Sequence, residues 1–164
     1  MRVKGPIILL FLIAASSVSI LAQNPKPADK WASFEGAKIR YYDIGKTKEK
    51  TALVLVHCWT CNVEFWKDTY NAFPNYRVIA MDLPGHGASA GSVSDHSPRA
   101  QADVVAQLAD HLGLSGPTVI GHSLGSMTAQ LLAAQHPEKV DRLVLISSTT
   151  GFGGGPGSWL WDNI

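Results

Sequence analysis

Four short runs of apolar residues alternate along the chain with stretches of helical periodicity. Runs of this length that are rich in valine, leucine and isoleucine are typical of parallel strands covered on both faces. The four runs lie at residues 51–57, 76–82, 117–122 and 140–148. Because alternating strands and helices form βαβ units with right-handed crossovers, the sequence predicts an α/β fold: a doubly wound, mostly parallel sheet with helices on both faces.

Apolar residues recur every three or four positions in the segments that separate these strands. The predicted helices span residues 63–73, 97–113 and 123–137. A further strand is predicted at residues 37–45, ahead of the first apolar run. In such a sheet the parallel strands present their carboxyl ends at one edge, so we expect the chemistry of the protein at that edge.

The first 22 residues have the layout of a secretory signal peptide. Arg2 and Lys4 precede an apolar stretch at residues 7–15, and small residues follow up to Ala22, where cleavage is predicted. The predicted location is therefore periplasmic or extracellular, with no stable membrane association after cleavage. The alternative is an uncleaved membrane anchor, because residues 5–22 reach the lower length limit for a membrane-spanning helix.

The rest of the chain divides into three parts. Residues 23–33 are proline-rich and polar and are predicted to be a linker, residues 34–150 form the α/β domain, and residues 151–164 are a tail rich in glycine and tryptophan. The formal net charge is +1, and residues of both signs are mixed throughout. This pattern argues against nucleic acid as a partner. A small-molecule substrate is predicted instead, with no cofactor and no metal ion.

The motif G-x-S-x-G at residues 121–125 lies between the third apolar run and the helix that follows it. A reversal this sharp from strand to helix forces Ser123 into a strained conformation and lifts its hydroxyl clear of the sheet. Gly121 and Gly125 remove side chains that would collide with neighbouring backbone. The alternative is a serine that only caps the helix N-terminus. Since strand, turn and helix all lie where the motif requires them, Ser123 is the predicted nucleophile.

A serine nucleophile needs hydrogen-bond donors for the negative charge that its attack creates. The backbone N–H of Leu124, directly after the nucleophile, is the predicted first donor. The loop after the first apolar run supplies the second, which we assign to the N–H of Trp59, with that of Cys58 as the alternative. His57, Cys58 and His122 are the predicted substrate-binding residues, and His57 is also expected to anchor its loop rather than to act as a base.

The stretches LVLVHCWTCN, VIAMDLPGHGAS and VIGHSLGSMTAQLLAAQHPEKVDRLVLISS occur in this order along the chain. Together they resemble the α/β-hydrolase superfamily, in its group of small-molecule hydrolases with a serine nucleophile. The resemblance implies that Asp82, His86 and Ser89 are structural. It also implies chemistry on esters, lactones, thioesters or, in some relatives, carbon–carbon bonds. Relatives that act as dehalogenases or epoxide hydrolases have an aspartate in place of Ser123.

The same resemblance implies a catalytic acid after the sixth or seventh strand and a histidine after the eighth. His136 follows Ser123 in the sequence, but a helix of about twelve residues places it on the order of 18 Å away. Asp162 is a minor candidate for the acid by fold analogy. We therefore expect the chain to represent the first part of a hydrolase, truncated after its sixth strand, with the cap, the acid and the histidine beyond residue 164.

Cys58 and Cys61 form a C-x-x-C motif between a buried strand and a predicted helix. This placement is also typical of thiol–disulfide exchange proteins, which gives an alternative function. A structural disulfide is the favoured interpretation for an exported chain. Many α/β-hydrolases have glycine where this chain has Cys58, and a residue with a side chain narrows the conformations open to the loop. A third interpretation is a non-catalytic remnant or binding scaffold with a hydrolase-like fold.

Overall fold

A computed structural model describes residues 26–34, 36–89 and 95–148, which contain one six-stranded sheet. Its strands are β1 (Lys30–Phe34), β2 (Ala37–Gly45), β3 (Ala52–Val56), β4 (Arg77–Met81), β5 (Thr118–His122) and β6 (Arg142–Ile146), in the order β1-β2-β4-β3-β5-β6. Strand β2 pairs antiparallel with β1 and β4, whereas β3 pairs parallel with β4 and β5, and β5 parallel with β6. The four apolar runs form the parallel part, which confirms the predicted α/β fold.

Two α-helices cover one face of this sheet. Helix α1 (Pro98–His111) begins after Ser97, whose side-chain oxygen accepts a hydrogen bond from the N–H of Ala100. Helix α2 (Leu124–Gln135) directly follows the serine of the G-x-S-x-G motif. Both helices pack on inward-facing strand residues in one core, among them Val54, Val56, Ile79, Met81 and Val119. In the described part of the chain, no helix has the length and hydropathy needed to cross a membrane.

The other face of the sheet is covered by residues 63–73, which form two short 3₁₀ helices, Val63–Trp66 and Tyr70–Ala72, rather than the single helix that the spacing predicts. The predicted apolar face is nevertheless buried, because Val63, Trp66 and Tyr70 pack on this side of the sheet. Most residues of the segment are β-branched, aromatic, Asp or Asn, which are weak helix formers. Burial of the apolar side chains, rather than helix propensity, therefore determines its shape.

Strand β1 lies largely within residues 23–33, the segment predicted to be a linker. It pairs along its whole length with β2, and the side chain of its central residue, Ala32, is buried. The domain therefore begins earlier than the sequence predicts, because the short segment KWASF has too little apolar alternation to indicate a strand. The predictions for residues 1–25 and 149–164, including the signal peptide and Asp162, concern parts outside the described residues.

Strand β6 is a strand as predicted, but it is not buried. Its side chains Val144, Leu145 and Ile146 are 36–43% exposed. The strand pairs with β5 on one side, and within the described ranges no strand lies on its other side. An apolar sequence predicts a strand, whereas burial of that strand depends on its neighbours in space.

The register of the sheet brings the carboxyl ends of the parallel strands to one edge. Val56 of β3 lies opposite Met81 of β4 on one side and opposite Gly121 of β5 on the other. His122 of β5 lies opposite Ile146 of β6. The loops that follow these strands therefore meet at this edge, and they contain the residues that the sequence singles out.

Asp82, the residue after β4, joins strand β2, the segment after β3 and the loop after β4 through one buried carboxylate. The carboxylate accepts hydrogen bonds from Nε of Arg40 at 2.8 Å and from the backbone N–H groups of Val63 and Ala88, each at 2.7 Å. Its backbone carbonyl accepts a further bond from the Ser89 hydroxyl at 2.8 Å. Since the carboxylate is completely buried, these donors replace the water that it would otherwise bind.

We predict that Asp82→Ala lowers the free energy of unfolding by about 3–5 kcal/mol, because it leaves the Arg40 guanidinium and two backbone N–H groups without their acceptor. Urea unfolding followed by circular dichroism measures the change. Asp141→Ala is the control, since the ion pair of Asp141 with Arg142 is exposed and its loss is expected to change stability little. Equal losses in the two variants would contradict the structural role of Asp82.

Candidate active site

Ser123 lies between β5 and α2 with a backbone conformation that residues other than glycine rarely adopt, φ 52° and ψ −114°. Its side chain makes no capping hydrogen bond to α2. A serine that served as a helix cap would have extended backbone angles and a side-chain bond to the second or third N–H of the helix. The geometry therefore argues against the capping alternative and agrees with the strained turn that the motif predicts.

Gly121 and Gly125 are required by close backbone contacts on either side of Ser123. A Cβ atom on Gly121 would overlap the carbonyl of Gly125, and one on Gly125 would overlap the carbonyl oxygens of Val56 and His57. Helix α2 therefore approaches the end of β3 more closely than any side chain allows. Neither glycine has a positive φ. Glycine is therefore required at these positions because there is no space for a side chain, and not because of its backbone freedom.

Hydrogen bonds to β6 hold the turn at residues 121–125, called the elbow below, in place. The N–H of Ser123 donates to the carbonyl of Ile146 at 2.9 Å. The buried hydroxyl of Ser126 lies 2.7 Å from the carbonyl oxygen of Gly121 and 2.9 Å from that of Ile146. The N–H of Leu124 belongs to the first turn of α2, where helix geometry provides no partner within the helix. It is therefore available to an anion at Ser123.

His57, the residue after β3, is completely buried and uses both ring nitrogens. Its Nε2 accepts a hydrogen bond from the N–H of Leu83 at 3.0 Å, which assigns the proton to Nδ1, and Nδ1 donates to the carbonyl of Cys58 at 2.8 Å. Burial lowers the pKa of His57 below its ordinary value of 6.5. A neutral, buried imidazole with both nitrogens engaged favours the anchoring role over base chemistry or direct contact with a substrate.

The residues after His57 form a tight turn closed by a disulfide between Cys58 and Cys61. The N–H of Cys61 donates to the carbonyl of Cys58 at 3.2 Å. The carbonyl of Cys58 thus accepts two hydrogen bonds, from this N–H and from His57. Because a trans peptide is planar, with its N–H opposite its C=O, these two bonds also fix the direction of the Trp59 N–H. Cys58 itself has no positive φ, so its side chain is compatible with this loop.

A cleft of about 440 Å³ lies beside this turn. It is lined by Trp59, Thr60, Cys61, Pro84, Gly85, His86, Gly87, His96 and Gln101. Its wall includes an aromatic contact in which the rings of Trp59 and His86 meet edge to face at 5.8 Å. Neither Ser123 nor the three predicted substrate-binding residues are among the lining residues. Local sequence patterns do not single out His96 or Gln101, because the start of α1 approaches the other loops only in the tertiary structure.

His122, also predicted to bind substrate, packs its ring against Phe65, with the ring centroids 4.9 Å apart. Its Nδ1 is buried and has no hydrogen-bond partner among the described residues.

His136 lies at the opposite end of α2 from Ser123, and its Nε2 is 2.8 Å from the carboxylate of Asp103. This position agrees with the expectation that His136 is not the base. No set of three or more potential metal ligands clusters in the described ranges.

We predict that stability falls as the pH decreases below about 6.5, in part because of His57. The unfolded chain then binds a proton at His57 that the folded chain, with its lowered pKa, does not bind. One such group contributes a slope of up to about 1.4 kcal/mol per pH unit. Urea unfolding of the wild type and of His57→Gln between pH 7 and pH 5 measures this slope. A slope in His57→Gln equal to that of the wild type would refute the assignment.

We predict that Gly125→Ala lowers stability by about 3 kcal/mol, because the added methyl group overlaps two backbone carbonyls of β3 and its following residue. Gly36→Ala is the matched control: Gly36 has a φ of +87° but open space around it, so the backbone cost alone is about 1 kcal/mol. Thermal or urea unfolding compares the two variants. A loss in Gly125→Ala no larger than that in Gly36→Ala would show that α2 does not approach β3 this closely.

Comparisons with known proteins identify the fold family of the chain. The family model for the alpha/beta hydrolase fold matches residues 51–159. The dihydrolipoyllysine-residue acetyltransferase component of the acetoin cleaving system of Pseudomonas putida is 34% identical over 127 residues, 77% of this chain and 34% of that protein. Monoacylglycerol lipase abhd6-A of Xenopus laevis is 29% identical over 121 residues, 71% of this chain and 36% of that protein.

Among solved structures, the crystal structure of a bacterial membrane phospholipase A matches with a TM-score of 0.71 and 29% identity, covering 78% of this chain and 42% of that chain. The chain thus spans about a third of the length of the two curated relatives and less than half of this structure. The family model covers more than half of the chain and includes β3, Ser123 and β6. This chain belongs to the α/β-hydrolase fold family.

Proposed function

We propose that the protein is a serine hydrolase that cleaves a carboxylic ester, lactone or thioester bond of a small molecule, with Ser123 as its nucleophile. The observation that carries this proposal is the strained backbone of Ser123 at the junction of β5 and α2, without a capping bond from its side chain. Strain of this kind persists where the surrounding structure enforces it, and it is concentrated at functional sites. At Ser123, the strain is enforced by the contact of Gly125 with the end of β3 and by the hydrogen bonds to β6.

In the proposed reaction, Oγ of Ser123 attacks the carbonyl carbon of the substrate. The carbonyl oxygen becomes an anion, which accepts hydrogen bonds from the N–H groups of Leu124 and Trp59. Collapse of this intermediate breaks the ester or thioester bond and releases the alcohol or thiol, and water then hydrolyses the acyl-serine that is left. Both donors are backbone groups whose directions are set before the substrate arrives, Leu124 by α2 and Trp59 by the bonds to the Cys58 carbonyl. Preorganised donors of this kind stabilise the transition state because they need no reorientation during the reaction.

The proton of Ser123 must pass to a base during the attack. His57 has both nitrogens engaged, and His136 lies at the other end of α2. The family resemblance implies a histidine base after an eighth strand and an acid after a sixth or seventh strand, and these positions are part of our proposal. In this proposal, residues 26–148 provide the nucleophile and the oxyanion donors.

The cleft beside the Trp59 turn is the proposed position of part of the substrate. Its wall combines the apolar surfaces of Trp59 and Pro84 with the polar edges of His86 and His96, a mixture that is common in small-molecule sites. Two of the similar proteins are named for the cleavage of lipid esters, a monoacylglycerol lipase and a phospholipase A. An ester with an apolar acyl or alcohol portion is therefore the substrate class that we propose.

Thiol–disulfide exchange by Cys58 and Cys61 has less support. In redox proteins the reactive thiol gains acidity from an α-helix N-terminus. Here the cysteines precede a four-residue 3₁₀ helix, Val63–Trp66, which offers a much smaller dipole. The exported location predicted from residues 1–22 stays a prediction, and it is compatible with a disulfide at this position.

We expect a fluorophosphonate to label the protein at Ser123, because Oγ attacks its phosphorus and displaces fluoride while the phosphoryl oxygen occupies the site of the oxyanion. Intact-protein mass spectrometry measures the labelling rate. Ser123→Ala is expected to abolish labelling, whereas Ser147→Ala, which removes an exposed serine with φ 51° at the end of β6, is the matched control and is expected to label like the wild type. Labelling that persists in folded Ser123→Ala would refute the nucleophile, and absence of labelling in the folded wild type would favour a non-catalytic scaffold over a hydrolase.

A further inference from the structure

The disulfide-closed turn at residues 58–61 lies directly at the proposed oxyanion site. Cys61 lines the cleft, and both cysteines are half-buried rather than enclosed in the core. Their Cα atoms are 5.3 Å apart. A disulfide in this position is not needed to hold the core together, because the segments on both sides of the turn are attached to the fold independently.

Those attachments lie just outside the turn. Before it, Nε2 of His57 accepts from the N–H of Leu83 at 3.0 Å. After it, the N–H of Val63 donates to the Asp82 carboxylate at 2.7 Å. Both anchors lead to the loop after β4, so the two ends of the segment stay in place whether or not the cysteines are joined. What the disulfide controls is the conformation of the residues between the anchors.

The sequence of the turn does not favour the conformation that it adopts. Thr60 has a φ of 58°, the left-handed region, which is unfavourable for residues with a branched Cβ. Turns that need a positive φ at the third position normally have glycine or asparagine there. The hydrogen bond from the Cys61 N–H to the Cys58 carbonyl closes the turn around this residue. The disulfide between the first and last residues of the turn therefore opposes the relaxation of Thr60.

We propose that the Cys58–Cys61 disulfide is a positioning element for the Trp59 N–H, and that its reduction by a dithiol slows acylation of Ser123. This inference rests on the proposed serine hydrolase function. When the disulfide opens, Thr60 relaxes and the Cys61 N–H leaves the Cys58 carbonyl. Only the bond from His57 then holds the peptide between Cys58 and Trp59, so its N–H no longer points steadily at the oxyanion.

The chemical step is a thiol–disulfide exchange with an external dithiol. The dithiol attacks one cysteine sulfur through a thiolate, forms a mixed disulfide and releases the other cysteine as a thiolate. Its second thiolate then displaces the remaining cysteine. The S–S bond of the protein is reduced to two thiols with two electrons and two protons, and the dithiol is oxidised to its own disulfide. The reverse exchange with an oxidised dithiol restores the turn.

The test compares fluorophosphonate labelling of Ser123 in the oxidised protein and in the protein reduced with dithiothreitol. We expect reduction to lower the maximal labelling rate at least about tenfold, approaching the 10²–10³-fold loss that follows removal of one oxyanion donor. The concentration of probe that gives half-maximal rate is expected to change less than the maximal rate, because six of the nine residues that line the cleft lie outside the turn. Circular dichroism and urea unfolding verify that the reduced protein is folded.

Two variants distinguish positioning of the Trp59 N–H by the disulfide from a contribution of the disulfide to global stability. The double variant Cys58→Ala, Cys61→Ala is expected to label as slowly as the reduced wild type and to be insensitive to dithiothreitol. Adding Thr60→Asn to the double variant is expected to restore a large part of the rate, since asparagine tolerates a positive φ. A disulfide that served only global stability would not be replaced by a single residue whose effect is confined to the turn.

A second measurement reports directly on the N–H of Trp59, the proposed oxyanion donor. In a chain labelled with ¹⁵N-tryptophan, the amide resonance of Trp59, assigned with Trp59→Phe, is expected to shift on reduction and to return in the Thr60→Asn triple variant. Equal labelling rates in both redox states, or an unchanged Trp59 amide, would overturn this inference and leave the proposed function intact. Absence of Ser123-dependent labelling in the oxidised protein would instead overturn the proposed function, and this inference with it.

Discussion

The close contact between α2 and the end of β3 is the constraint on which the rest of the site depends. Gly125 lies against the carbonyl oxygens of Val56 and His57 with no room for a Cβ atom. This contact forces the chain to turn within a single residue between β5 and α2. Ser123 is that residue, and it adopts a strained backbone conformation. It also places the first N–H groups of the helix beside the loop that follows β3. One steric requirement thus sets the proposed nucleophile and the Leu124 N–H at the start of a helix that contacts the end of β3, directly before the loop that contains Trp59.

Two buried polar groups then give that loop its shape. Asp82 and His57 lie after adjacent parallel strands, and each of them links the loop after β3 to the loop after β4. The rings of His57 and His86 extend this link, with centroids 5.3 Å apart. Because these groups are buried, their hydrogen bonds do not compete with water, and the loops behave as one unit. A change in one loop is therefore expected to reach the other.

Local sequence was sufficient for most of the fold and for the elbow. The parallel strands, both α-helices and the glycines around Ser123 follow from periodicity and from motif position, because each depends on residues near it in the chain. Strand β1 was missed, since KWASF is recognisable as a strand only through its pairing with β2. Residues 63–73 were predicted as a helix, but burial of their aromatic side chains against the sheet produces 3₁₀ turns instead.

By itself, the sequence determined the α/β architecture, the family resemblance and the identity of the candidate nucleophile, because hydrophobic periodicity and glycine positions are local properties. Tertiary structure decided the rest. It distinguished a strained turn from a helix cap through the backbone angles of Ser123. For His57, predicted both to bind substrate and to anchor its loop, it favoured the anchoring role by burying the ring and engaging both nitrogens. It also determined the shape of the C-x-x-C turn, and with it the direction of the Trp59 N–H. These features arise from contacts between segments distant in the chain, which no local pattern encodes.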